Sequence, residues 1–309
     1  FPVEMQADEN QPWRDPKFWH LVLPNLGRSV HLDRLEQEFS KNEQEGDEAF
    51  RVWASQHLNV EIGIGIAAGR WEGAPYWSAA SDPEKITIDT LIERCEVIVA
   101  GIDGGGLDDL LGASFAGRSK TTDDWLFCFK AWAHPQAVER RKGNKSVYER
   151  FQKEGDLTIC SEGNGTQDLN ELVEIMVRIR EAGLFPEKAA IGLDPFGVSA
   201  LIDILTEAEF AEDQVVGVAQ GFKLNGAIKG MARRLMDGRL WHDGSSMMNW
   251  VVGNAKAEMR GNSVVVTKQL AGAAKIDPRI AGFNAFHLMS LHPQAAGHSV
   301  YESGAALVL

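Results

Sequence analysis

Two short apolar runs in this chain each stop on an aspartate. Val97-Ile98-Val99-Ala100-Gly101-Ile102 ends at Asp103, and Ala189-Ala190-Ile191-Gly192-Leu193 ends at Asp194. Uncharged runs of this length, bounded by turn residues, read as strands. A third aspartate, Asp277, precedes Pro278 and opens the last strongly helical stretch, 279–291. Strand end, strand end and helix start are positions from which a folded sheet can gather carboxylates that lie far apart in the chain. Carboxylates gathered in this way are hard oxygen donors, the kind that Mg²⁺ and Mn²⁺ prefer.

The surrounding pattern is α/β. Residues 1–18 are polar and carry Pro2, Pro12 and Pro16, which predicts an extended lead-in. Leu32, Leu35 and Phe39, then Phe50 and Trp53, predict two amphipathic helices joined by the charged stretch 41–47. A Gly-, Pro- and Ser-rich stretch, 71–83, suggests a boundary near 85, with a helical linker segment over 1–85 and the main domain over 86–309. Three β-type runs follow at 97–103, 110–118 and 125–133, spaced as an antiparallel meander. Helices are then expected at 136–152, from an N-cap at Asp168 to Gly183, and at 198–205, 223–236, 246–257 and 279–291. Strands at 157–160, 189–194, 215–219 and 263–268 alternate with them. Hairpin-linked strands followed by β-α repeats imply a mixed sheet flanked by helices.

Composition narrows the field. No apolar stretch approaches the ~18 residues of a membrane-spanning helix. A net charge of −13 argues against a surface coated for general nucleic-acid binding but leaves room for a local basic stripe. Cys95, Cys128 and Cys160 are scattered and form no CxxC, so they read as buried thiols in a reducing compartment and not as a zinc site. The chain opens Phe1-Pro2-Val3-Glu4 without an initiator Met or a leader, as expected of a piece of a longer polypeptide.

Each aspartate has an ordinary structural reading. Asp before Pro is a common turn, and Asp277-Pro278 suits a helix N-cap with proline at the first helical position. Asp103 is harder to explain away, because Gly104-Gly105-Gly106 follows it and glycine lets backbone approach a phosphate closely. GIDGGG also fits the phosphate loop of sugar-kinase and actin-like ATPases, so a phosphotransferase is one alternative. Against it, Leu107-Asp108-Asp109 puts two negative charges where a phosphate tail would sit, and no GxxxxGK[ST] occurs. A second alternative is a non-catalytic DNA-docking module whose aspartates only cap helices.

Several longer stretches carry a family likeness: GIDGGGLDDLLG (101–112), GDLTICSEGN (155–164), IGLDPFGVSALIDIL, GFKLNGAIKGMARRLMDGRLWHDGSSMMNWVVGNA (221–255) and KIDPRIAGFNAF (275–286). On these the chain resembles the C-terminal nuclease part, with its preceding linker, of tailed-phage terminase large subunits, the DNA-packaging motor proteins. The resemblance implies an RNase H-like sheet and a metal-dependent endonuclease that cuts concatemeric double-stranded DNA with two Mg²⁺ or Mn²⁺ ions. It transfers the metal-ligand role to Asp103, Asp194 and Asp277, and a metal-bound water to Asp108 or Asp109. It also suggests that His242 meets DNA or a ligating carboxylate, that Asn254 bonds backbone near the site, and that Lys268 and Lys275 meet the scissile phosphate. DNA would follow either Arg140, Arg141, Lys142 and Lys145, or Lys229, Arg233, Arg234 and Arg239. Implied partners are a terminase small subunit and a portal protein in the host cytoplasm, with no membrane. The Walker motifs of the family's ATPase domain are absent from this sequence, so the chain is expected to follow that domain in a longer protein and is assigned no ATP hydrolysis.

Overall fold

The computed structural model describes residues 12–45, 47–58, 71–141, 144–194, 199–254, 256–260, 263–267 and 276–296. The chain divides into two compact units, Phe1–Arg70 and Trp71–Leu309. The stretch 71–85, expected in the linker segment, falls within the second unit, where Trp71, Ala74 and Trp77 are buried.

In the first unit, helices α1 (Leu32–Glu45) and α2 (Asp47–Leu58) match the expected pair. The described part of the lead-in is not extended: Pro12–Arg14 and Pro16–Leu21 form 3₁₀ turns. Proline suits the start of a turn, where its missing N–H has no partner to lose. Folding back also buries Trp13 and Trp19. Trp19 meets Trp53 and Phe39 meets both Phe50 and Trp53 of α2 at ring separations from 4.9 to 5.5 Å. Large aromatic side chains are how so few residues close a core.

The second unit is built on a sheet in the order β4-β3-β2-β1-β5-β6, with β7 sharing the outer edge of β3 with β4. The strands are β1 (Cys95–Gly104), β2 (Leu110–Ser119), β3 (Trp125–Ala133), β4 (Leu157–Ile159), β5 (Ile191–Leu193), β6 (Val215–Gly217) and β7 (Leu240–His242). Only β2 runs against its neighbours; every other pairing in this sheet is parallel. This is the RNase H-like mixed sheet flanked by helices. One reversed strand means that β1, β3, β4, β5 and β6 all end on one edge.

Strand alternation divides the core. Ile98, Ala100 and Ile102 of β1, with Ala113 and Phe115 of β2, pack against α4 (Ile88–Arg94), α7 (Gln167–Glu181) and α8 (Ser199–Glu207). The opposite face carries α11 (Asp277–Met289), which lies across β1 and β2, with α9 (Asn225–Met236), α10 (Ser246–Asn254) and the one-turn α3 (Ala74–Trp77) beyond it.

Several boundaries differ from expectation. The helix at 136–152 is two, α5 (Pro135–Arg140) and α6 (Lys145–Glu154), because the backbone leaves helical conformation at Arg141, the C-cap of α5. Asp168 is not an N-cap: it is the second residue of α7, buried, with an oxygen 3.2 Å from His134 Nε2. The helix expected over 246–257 stops at Asn254, and β8 (Lys256–Arg260) pairs with β9 (Ser263–Thr267) as a separate hairpin. All three cysteines are buried free thiols, and burial pushes Cys95 up to about 12 and Cys160 up to about 11.

Candidate active site

β1 and β5 lie side by side and parallel, with Ile102 opposite Leu193. The next residue of each is an aspartate, so Asp103 and Asp194 leave neighbouring strand ends one register step on. Both lie on the α11 face, two residues after Gly101 and Gly192 respectively. They line a single cavity of about 180 Å³, together with Gln220, Leu224, Ile228 and the hairpin residues Val265 and Val266.

Asp277 approaches from the helix side, and missing side chains are what let it. A Cβ built on Gly101 would stand 2.1 Å from the Ala281 carbonyl oxygen and 2.3 Å from the Ala285 nitrogen. One built on Gly112, the register partner of Asp103, would stand 2.5 Å from the Pro278 nitrogen. Helix backbone therefore rests directly on strand backbone. That seat carries Asp277 to the end of β1, where its Cβ lies 3.2 Å from a Cβ built on Gly104, the residue after Asp103. Asp277 is fully buried and Asp103 is 8% exposed. The helix boundary is one residue earlier than the sequence suggested: Ile276 is the N-cap and Asp277 is the first helical residue.

A polar clasp holds this seat. Asn284, fully buried on α11, donates from Nδ2 to the Ile102 carbonyl at 2.8 Å. Gln220 Nε2 donates to Asn284 Oδ1 at 3.0 Å and to the Val218 carbonyl at 2.9 Å. Asn284 was not anticipated, although an amide flanked by Phe283 and Ala285 on a helix this apolar was a visible signal. Arg279 was missed as well. Its guanidinium lies 4.2 Å from the Trp71 ring and 5.2 Å from Phe283, and among the described residues its nitrogens have no hydrogen-bond partner. Burial pushes it down to about 9, still charged at neutral pH.

The donors at the cavity are oxygens, and no thiol or imidazole is among its described lining residues. That set fits a hard divalent cation better than zinc. Among the described residues no three His, Cys, Asp or Glu side chains form a closed ligating cluster. The arrangement is two carboxylates on one cavity, with a third beside Gly104.

The remaining sequence candidates divide sharply. Gly104, Gly105 and Gly106 have φ of +80°, +106° and +98°, which accounts for the triplet. The turn they start is tied down: Arg140 Nη1 meets Asp108 Oδ2 at 2.5 Å, and Arg141 donates to the Asp108 carbonyl at 2.8 Å and lies 3.9 Å from Asp109. Neither Asp108 nor Asp109 lines the cavity, and Arg140 and Arg141 serve this turn instead of standing clear for DNA. His242 corrects the expectation of a DNA or carboxylate contact. It is fully buried, stacked on Trp77 at 3.9 Å, with Nε2 donating to the Trp77 carbonyl at 2.7 Å and Nδ1 accepting from Gly244 N–H at 3.0 Å. Burial pushes it down to about 4, so it is neutral and has no ring nitrogen left for a ligand.

On α9, Arg234 stacks over Trp125 at 3.7 Å, while Arg239, just beyond the helix, pairs with Asp124 at 3.0 Å. Lys229 and Arg233 point to solvent. Lys142, Lys268 and Lys275 lie outside the described residues, as does the side chain of Asn254.

A family model described as terminase large subunit, endonuclease domain, matches residues 1–292. Protein YmfN of Escherichia coli (strain K12) is 23% identical over 292 residues, covering 91% of this chain and 61% of that protein. The crystal structure of the HK97 bacteriophage large terminase superposes with a TM-score of 0.53 at 16% identity, over 91% of this chain and 55% of that one. The large terminase nuclease of thermophilic phage G20c with bound magnesium gives a TM-score of 0.38 at 10% identity, over 67% of this chain and 84% of that one. The chain thus spans only about three-fifths of YmfN and about half of the HK97 protein.

Proposed function

Because the chain belongs to the terminase large subunit endonuclease-domain family, we propose that it is a divalent-metal-dependent endonuclease that hydrolyses both strands of DNA. Its biological substrate is concatemeric viral DNA, cut during genome packaging in the host cytoplasm, with a terminase small subunit and a portal protein as partners. The observation that carries this reading is the meeting of Asp103 and Asp194 on one cavity, with Asp277 brought to Gly104 by backbone contact.

Asp103, Asp194 and Asp277 would hold the Mg²⁺ or Mn²⁺. Two such ions, when bound, supply activation of the attacking water and stabilise charge on the departing oxygen of a phosphodiester. The rest of the chemistry belongs to the protein. Asn284 and Gln220 fix the helix that carries Asp277 against the strand that carries Asp103. Val265 and Val266 supply an apolar wall to the cavity. A small, partly apolar cavity also strengthens every charge interaction inside it.

Supercoiled plasmid incubated with the purified chain and Mn²⁺, with an EDTA control, tests the reading. Asp103→Asn, Asp194→Asn and Asp277→Asn should each abolish cleavage while circular dichroism stays unchanged. Full activity in any one of them refutes its assigned role.

A further inference from the structure

Both basic clusters are plain in the sequence, but within them only Lys229 and Arg233 are exposed with no ion-pair partner among the described residues of the fold. Leu224 and Ile228, at the start of α9, line the carboxylate cavity. The outward side of the same helix presents Gly226, Lys229, Gly230, Arg233 and Met236 to a groove of about 570 Å³, whose far wall includes Glu72 and Tyr76. Spacings of three and four put Lys229 and Arg233 on one face. Both are exposed, and neither has an ion-pair partner among the described residues. A Cβ built on Gly226 would meet nothing within 4 Å, so the helix backbone is open to close approach there. At the cavity end, Gly221 lines the carboxylate site, and the next residue, Phe222, is 64% exposed, followed by exposed Lys223. On a chain of net charge −13, an exposed cationic stripe that begins beside a carboxylate site and has no acidic partner among the described residues is not average surface.

We infer that one DNA strand runs from the carboxylate site along α9, with its phosphates on Lys223, Lys229 and Arg233 and a base or sugar against Phe222 at the mouth. This rests on the nuclease reading for the identity of the substrate. The span from residue 222 to residue 233 is about 16 Å at helical rise, or roughly five nucleotides at ~3.4 Å each. Glu72 across the groove repels phosphate and keeps the strand on the α9 side. The inference selects between the two clusters: the turn-bound Arg140 and Arg141 lie off the path.

Binding of a short duplex in EDTA, followed by fluorescence anisotropy across a salt series, separates the contributions. Each phosphate contact adds about 0.9 to the slope of log affinity against log salt. The double variant Lys229→Ala with Arg233→Ala should therefore flatten the slope by about 1.8. Phe222→Ala should weaken binding about tenfold with the slope unchanged, as expected for a contact made by an aromatic face. Arg140→Gln should leave the slope at its wild-type value. An unchanged slope in the double variant, or an equal change in Arg140→Gln, overturns the inference. If wild type cuts plasmid in Mn²⁺ and the double variant keeps its slope, the path is wrong and the nuclease reading stands. If wild type fails to cut but the slope flattens as stated, α9 binds DNA and the nuclease reading is what fails.

Discussion

One added methyl at Gly101 should displace the helix that supplies Asp277. The new Cβ would stand 2.1 Å from the Ala281 carbonyl oxygen and 2.3 Å from the Ala285 nitrogen, where real contacts stay above 3.0 Å. Both obstacles are backbone, so no side chain can swing aside. α11 must withdraw by about 1 Å at its closest point. Overpacking of this kind costs about 1–3 kcal/mol. The withdrawal also stretches the Asn284–Ile102 hydrogen bond, now 2.8 Å, for roughly another 1 kcal/mol. Gly101→Ala should thus lose about 2–4 kcal/mol in a urea titration. Because a misplacement of about 1 Å can cost a factor of about 100 in rate, plasmid cleavage should fall by a similar factor under conditions where the variant is still folded. Gly226→Ala is the matched control. It lies in α9 with open space around it, so it should be neutral or stabilise by up to about 1 kcal/mol. A Gly101→Ala protein that unfolds at the wild-type urea midpoint would show that α11 does not rest on β1 as described.

Three further outcomes follow from particular groups. Asn284→Ala leaves a Gln220 N–H and the Ile102 carbonyl without their buried amide partner, and should cost about 2–4 kcal/mol in urea unfolding; a loss below about 1 kcal/mol would mean that water replaces the amide. Burial pushes the Asp243 carboxyl up from 3.8 to about 6, against the lowering effect of its bonds from Phe129 and Ser245 N–H. The folded state therefore holds that proton more tightly, and its contribution is present below pH 4 and lost as pH rises through 6. Subtracting Asp243→Asn stability from wild type should give a difference that shrinks by about 3 kcal/mol between pH 4 and pH 7, and a flat difference would mean that the carboxyl is ionised throughout. His242, pushed down to about 4, works the other way, costing stability as pH falls below 6.5, so the two neighbours partly offset each other in wild type. Finally, Mn²⁺ at 100 times its dissociation constant should add about 2.7 kcal/mol of stability, seen as a raised melting temperature. Asp194→Asn should reduce that gain, and an unshifted wild-type melt would count against metal binding.

Strand ends were legible because they depend on local signals. Apolar runs of five or six residues ending in a charge can be recognised without knowing their neighbours, which is why Asp103 and Asp194 were found together. Of the 256–267 hairpin the second strand was legible and the first was not, because the first comes just after the helical run Met247, Met248, Val251 and Val252, and five residues of alternation do not outweigh that pattern. The glycine seat was harder still. Gly101 and Gly112 lie in different strands, and their shared purpose exists only once α11, more than 160 residues further on, is laid across both. Charge was the least readable feature. Arg140 with Arg141, and Lys229 with Arg233, look alike as basic clusters on helices. Yet Arg140 meets an aspartate 32 residues away across a turn whose path is set by three positive φ angles, while Arg233 meets no acid among the described residues. A phosphate competes with Asp108 for Arg140 and with no acid among the described residues for Arg233. Displacing an existing ion pair gives back part of what the new contact gains, so the two clusters differ in DNA affinity even though their sequences advertise the same charge.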